Sequence, residues 1–260
     1  MKTAIEGNTI DYDVVGRRGA PAVLLSHSLG TDRSMWDPQV AHLGREHRLI
    51  LVDILGHGRS DVPPGPYTIG QLARHVVAAA DSEGVERFHV AGVSMGGQIA
   101  LWIAVHHPER VLSMTAANTA ARVGTAEGWA ARVEAIREHG MEGMADEIVA
   151  RFFSSGFPAR DPGPWERVYR TFLATDPDGY IACCEALATS DLSEEVGAIS
   201  VPSLIIGGTE DVSTPPELAE SLHAAIPHSE LEIIAGAGHL SNMDTPDVFN
   251  DRLERFLASA

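Results

Sequence analysis

The sequence predicts an α/β architecture: a mostly parallel, twisted sheet with helices on both faces and a helical lid inserted into it. Three observations carry that expectation. Short apolar runs alternate with segments of helical period along most of the 260 residues, the pattern of strands joined by crossover helices. From residue 22 onward those runs are apolar at nearly every position, as parallel strands are when helices cover both faces. One long stretch, 119–195, then breaks the alternation and carries helix-period segments alone.

In chain order, strands are expected at 9–15 (TIDYDVV), 22–27 (AVLLSH), 48–53 (RLILVD), 87–92 (RFHVAG), 111–118 (VLSMTAAN), 202–208 (PSLIIGG) and 230–235 (ELEIIA). A helix over 68–81 places Ile69, Leu72, Ala73, Val76, Val77 and Ala80 on one stripe, with Thr68 and Gln71 spaced as a capping box. The run GQIALWIAVHH reads as a helix directly after the fourth strand. Thr214 before Pro215, with Glu217 in the first turn, starts another helix over 215–226. The last begins at Thr245-Pro246 and is expected to bury Val248, Phe249, Leu253, Phe256 and Leu257. Inside 119–195 the helical segments fall at 127–139, 141–153, 164–174 and 177–189, punctuated by Arg-Asp-Pro-Gly-Pro at 160–164. The expected organisation is therefore a core of 1–118 and 196–260 with a lid of 119–195. Such an insertion lies over the carboxyl ends of the strands, where α/β folds bind ligands.

Composition narrows the function classes. Hydrophobic residues make up 44% and charged residues 21% of the chain, enough apolar material for a sizeable core. A net charge of -17 argues against nucleic acid and anionic membrane surfaces as partners, because polyanions would be repelled. The opening MKTAIEGNTIDYDVV has no apolar signal region, and no run of ~18 apolar residues could span a bilayer. Cys183 and Cys184 are adjacent and read as two small buried hydrophobes in a reducing compartment. No His/Cys cluster has zinc spacing. The expectation is a cytoplasmic protein without metal or cofactor that acts on a small molecule, with homo-oligomerisation open.

The chemistry centres on Gly92-Val93-Ser94-Met95-Gly96, where a buried strand must turn sharply into a helix. Glycines flank Ser94 as a nucleophile on a strained strand-to-helix turn requires, since the helix has to approach closely. The competing reading is a plain Gly-rich corner. A serine hydroxyl needs a base, and the chain order serine, acid, histidine of such folds selects His239, in the loop AGAGHLSNMD after the last strand. Asp211, in IIGGTEDVSTPP after the preceding strand, is the favoured acid, with Glu210 as its rival. Two backbone N–H groups should form the oxyanion site: Met95 after the nucleophile, and Leu29 in the loop SHSLGTD, which Gly30 makes pliable. Ser28 and His27 could add polar contacts there.

Together these residues resemble the α/β-hydrolase superfamily and, within it, the 3-oxoadipate enol-lactonases of aromatic catabolism. The resemblance is carried by SHSLGTDRSMWDPQV, GHGRSDVPPGPYTIGQL, GVSMGGQIALW, ANTAARVGTAEGWAARVEAIREHGM, ATDPDGYIACCEAL and AGAGHLSNMDTPDVF, which span most of the chain. It implies the α/β-hydrolase fold and a hydrolase that opens an unsaturated five-membered lactone, the ring of 3-oxoadipate enol-lactone. It also implies that Trp129, near the front of the lid, packs on that ring, the alternative being an anchor within the lid. The substrate is an anion and the chain is strongly acidic, so a local cation must compensate; Arg122, Arg132 and Arg33 are the candidates. Two residues depart from the lactonase pattern. Leu55 stands where Asp-x-Arg-Gly-His-Gly would place arginine, and His27 where asparagine is common. If that arginine held the substrate carboxylate, Leu55 would change specificity. A different ester or lactone, C–C bond hydrolysis or perhydrolysis on the same residues, or a small-ligand receptor are the alternatives.

Overall fold

The computed structural model describes residues 1–260. Its eight strands are β1 (Lys2–Ile5), β2 (Asn8–Gly16), β3 (Ala22–Ser26), β4 (Arg48–Val52), β5 (Phe88–Val93), β6 (Val111–Ala117), β7 (Ser203–Gly208) and β8 (Glu230–Ile234). They form one sheet in the order β1-β2-β4-β3-β5-β6-β7-β8. The β1–β2 and β2–β4 pairings are antiparallel and all others parallel. Every residue of β3, β5 and β7 is buried, which accounts for their unbroken apolar runs.

The helices are α1 (Asp37–Leu43), α2 (Ile69–Ser82), α3 (Met95–His106), α4 (Ala126–Ala150), α5 (Phe157–Arg160), α6 (Pro162–Ala174), α7 (Pro177–Thr189), α8 (Pro216–Ala225), α9 (Ser241–Asp244) and α10 (Pro246–Ser259). The Thr68 hydroxyl accepts from the Gln71 N–H and starts α2 where the capping signal predicts. Between β6 and β7 the chain forms helices joined by loops, α4 to α7, and no strand. The α/β-hydrolase architecture expected from the sequence is the observed one.

Several details differ. The edge strand β1 and the short helices α1, α5 and α9 lack the length that makes a periodic signal visible. The segments 127–139 and 141–153 join as α4, bent at Gly140, whose φ of 68° lies outside the helical region. That helix stops at Ala150, so Arg151, Phe152 and Phe153 belong to a turn instead. Val248 is 48% exposed, whereas Phe249, Leu253, Phe256 and Leu257 are buried as expected. Both cysteines are buried free thiols. No helix is long and apolar enough to cross a membrane.

Candidate active site

Ser94 sits between β5 and α3 with φ 58° and ψ −116°, a region that non-glycine residues rarely occupy. Backbone contacts on both sides enforce it. The Ser94 N–H donates to Ala117 O (2.9 Å), and its carbonyl accepts from the Gln98 N–H (3.0 Å) and the Thr119 hydroxyl (2.8 Å). A Cβ on Gly92 would lie 1.9 Å from Gly96 O, and one on Gly96 2.2 Å from Ser26 O. The two flanking glycines are therefore a steric requirement of this turn. The Ser94 side chain does not cap α3, so its hydroxyl is not engaged by the helix.

His239 and Ser94 line one cavity of about 230 Å³. Asp211 lies behind His239, with His239 Nδ1 2.9 Å from Oδ2 and 3.1 Å from Oδ1. The Asp211 carboxylate also accepts from the Ser213 N–H (2.8 Å), the Thr214 N–H (2.9 Å), the Thr214 hydroxyl (2.6 Å) and Asn118 Nδ2 (3.0 Å). Burial alone would raise its pKa, but His239 and the hydrogen bonds from His239 and Thr214 outweigh it and hold the group at about 2. Asp211 is thus ionised at neutral pH, and a proton on Nδ1 of His239 leaves Nε2 free to accept one. Its sequence rival Glu210 points elsewhere, toward the Ser155 N–H.

The loop after β3 supplies Leu29, whose N–H is taken by no backbone carbonyl. Met95 opens α3, so its N–H has no acceptor within the helix. Leu29 and Ser28 both line the cavity, and the Ser28 hydroxyl has no hydrogen-bond partner. Ser94, a histidine oriented by a carboxylate and the Leu29 amide on one cavity wall, with the Met95 amide following Ser94 at the start of α3, can support acyl transfer.

The other residues singled out from sequence divide. Trp129 and Arg132 line the cavity. Trp129 is fixed by donating from Nε1 to Val123 O (2.7 Å), and Arg132 Nη1 lies 3.5 Å from the Tyr180 hydroxyl. Arg122 does not line it: the side chain is 49% exposed and faces Asp191 at 3.6 Å. Arg33 is also elsewhere, locked between Asp11, Asp13 and Asp53. Of the sequence candidates for a substrate cation, the structure therefore brings Arg132 and not Arg122 to the cavity wall. Leu55 is fully buried and absent from the cavity wall.

The sequence reading missed Arg151, Phe152, Tyr180 and Ser213 on the wall, and Asn118 and Asp244 behind it. The Phe152 ring stacks beside the His239 ring at 6.2 Å between centroids. Asp244 accepts from the Gly238 N–H, the Ser154 N–H (2.7 Å each) and the Ser154 hydroxyl (2.9 Å), tying the His239 loop to the turn after α4. Nothing local marks these residues, because their partners lie some 90 or more positions away in the chain for Asn118–Asp211 and Ser154–Asp244.

Fold and site define the class. The family described as alpha/beta hydrolase fold matches residues 21–246, and the chain belongs to it. Within that class it is 38% identical to 3-oxoadipate enol-lactonase 2 of Acinetobacter baylyi, over 94% of this chain and 91% of the relative. It is 36% identical to 3-oxoadipate enol-lactonase 1 of the same organism, over 100% and 97% of the two chains. The crystal structure of the enol-lactonase from Burkholderia xenovorans LB400 superposes with a TM-score of 0.97 at 37% identity, covering 99% of this chain and 100% of that one.

Proposed function

We propose that this protein is a serine hydrolase that opens 3-oxoadipate enol-lactone to 3-oxoadipate, a step of aromatic-compound catabolism. The observation that carries the reading is the convergence of Ser94 and His239 on one cavity, with Asp211 bonded to the far nitrogen of the imidazole. The similarity to enol-lactonases along the whole chain supports the choice of substrate. The stretch from α4 to α7, which contributes Trp129, Arg132 and Tyr180 from its helices and Phe152 from the turn after α4 to the cavity wall, serves in this reading as the lid.

His239 Nε2 takes the proton of Ser94 as Oγ attacks the lactone carbonyl. The N–H groups of Leu29 and Met95 hold the oxyanion that forms. Collapse of this intermediate breaks the ring C–O bond. The departing enol oxygen receives the proton from His239, and the enol then ketonises. A water deprotonated by His239 attacks the acyl-enzyme, and the returning proton frees Ser94. Asp211 stays ionised throughout and stabilises the imidazolium without taking its proton. The two unpaired buried thiols are in keeping with a reducing, cytoplasmic setting.

The test is turnover of 3-oxoadipate enol-lactone by the native protein and by Ser94→Ala, alongside neutral lactones. The native protein should prefer the enol-lactone. Ser94→Ala should lose turnover and fluorophosphonate labelling while keeping its circular dichroism. Activity retained in Ser94→Ala would overturn the role of Ser94, and equal or better turnover of neutral lactones would overturn the substrate.

A further inference from the structure

Along the first turns of α4 the residues that line the Ser94 cavity recur as Thr125, Gly128 and Arg132, one face of a helix. The neighbouring face carries Ala126, Ala130 and Val133. These line a second cavity, of about 290 Å³, between α4 and α7, whose other wall includes Cys184 and Ala188. All five side chains are short, so the two helices leave space where larger residues would interlock. At the rim Arg137 of α4 donates to Glu134 (2.7 Å) and stands 3.9 Å from Glu185 of α7. Trp129 lies on the edge between the two faces of α4, and it alone lines both cavities.

The indole is held there as a wall. Its Nε1 donates to Val123 O (2.7 Å), and Gly124, with φ 70°, brings the backbone so near that a Cβ would lie 3.1 Å from Nε1. Turning the ring aside would break that bond. Size matters here as well. Small-molecule sites typically occupy about 300–1,000 Å³. Neither the cavity of about 230 Å³ at Ser94 nor the one of about 290 Å³ beyond the indole reaches that range alone, and together they fall inside it. An acyl chain growing from Ser94 toward α7 therefore meets the Trp129 ring before it meets the apolar space behind.

We propose that Trp129 is a specificity-determining residue that ends the acyl pocket and restricts this protein to compact acyl groups, and that the space between α4 and α7 is closed to longer acyl chains by this indole. The proposal deepens the hydrolase reading and rests on acylation of Ser94. It does not rest on the identity of the lactone.

The test is kcat/KM on p-nitrophenyl acetate, butyrate, hexanoate and octanoate, for the native protein, Trp129→Ala, Trp129→Leu and the double variant Trp129→Ala with Ala188→Leu. The native octanoate-to-acetate ratio should lie well below one. At about fourfold for each methylene taken out of water, about two or three methylenes housed beyond the missing indole should raise that ratio by roughly 10- to 100-fold in Trp129→Ala. Trp129→Leu keeps an apolar filler, should give a smaller rise, and carries the comparison if a thermal melt shows that the alanine variant does not fold. Refilling the space with Ala188→Leu should bring the ratio back toward the native value. A role for Trp129 in bracing α4 alone would change all four esters in step and leave the ratio where it was. That outcome, a native preference for octanoate, or a rise that Ala188→Leu does not reverse overturns the proposal. Acetate turnover separates the two readings: its absence in the native protein overturns the hydrolase reading and this proposal together, whereas its presence with an unchanged ratio overturns this proposal alone.

Discussion

Replacing Asp211 with asparagine preserves the side chain's size and tests the proposed tautomer of His239. Oδ1 accepts two backbone N–H groups, from Ser213 at 2.8 Å and Thr214 at 2.9 Å. These donors cannot turn away, so the amide oxygen of Asn must occupy this place. The amide nitrogen is then forced to the Oδ2 position, where the Thr214 hydroxyl, Asn118 Nδ2 and His239 Nδ1 converge at 2.6, 3.0 and 2.9 Å. The hydroxyl can rotate to accept. Asn118 is held in its present orientation by Ser241, whose hydroxyl donates to Oδ1, so one donor–donor contact persists. His239 escapes a second one only by moving its proton from Nδ1 to Nε2, the nitrogen that has to receive the proton of Ser94. The expected loss in kcat is about 10⁴-fold, the scale found when an asparagine imposes the wrong tautomer in a serine protease. Initial rates on the enol-lactone or on a p-nitrophenyl ester, with a thermal melt to verify folding, measure it. A folded Asp211→Asn variant within tenfold of the native kcat would refute the orientation argument.

Two further outcomes follow from the same geometry. The folded pKa of Asp211, depressed from 3.8 to about 2, corresponds to about 2 kcal/mol of stability. That contribution is complete above the unfolded carboxylate value and is lost as pH falls through about 2, so the gap in urea midpoint between the native protein and Asp211→Asn should narrow from pH 5 to pH 2; a constant gap would contradict it. Gly96→Ala should fail at the turn itself, because the new Cβ meets Ser26 O at 2.2 Å and His27 O at 2.7 Å, both backbone atoms. An overpacking cost of roughly 1–3 kcal/mol or more should lower the melting temperature by about 2–12 °C, and an unchanged melt would show that the turn relaxes freely.

What the sequence made legible was whatever a short window can carry. The turn around Ser94 is visible because its glycines answer a local steric demand, 1.9 Å and 2.2 Å from neighbouring backbone oxygens. The parallel strands are visible because burial on both faces removes polar residues from β3, β5 and β7. The wall of the cavity was less so. Helical periodicity carries 141–153 as one helix, yet the helix ends at Ala150, and that end brings Arg151 and Phe152 to the cavity. Arg122 and Arg132 look alike as residue types near the start of the same helix; only the fold distinguishes a surface partner of Asp191 from a neighbour of Tyr180. Asn118 adopts φ 47° just beyond β6 and bonds to both Asp211 and Gly238 O. No spacing rule reaches across those separations.

Two histidines outside the proposed proton path explain how the Leu29 N–H is left unspent. His27 Nε2 accepts from the Ile54 N–H (2.9 Å), so its proton sits on Nδ1, which donates to Ser28 O (2.8 Å). His57 Nε2 accepts from the Gly30 N–H (2.9 Å). Burial lowers the pKa of both, that of His57 to about 3, so neither carries charge at neutral pH and both keep an acceptor nitrogen. The residues on either side of Leu29 are thereby fixed to the loop after β4, and Leu29 between them is left facing the cavity with a free amide. His27, unusual against the enol-lactonase pattern, is part of this bracket. Leu55 belongs to the same joint: its side chain is buried, and its carbonyl lies 3.5 Å from the Cys183 thiol of α7, which also lies 3.9 Å from His57 Nδ1. Any residue at 55 would present that carbonyl, and the Leu55 side chain itself is buried away from the cavity wall. The charge that meets an anionic substrate has to come from the cavity wall, where Arg132 and Arg151 stand.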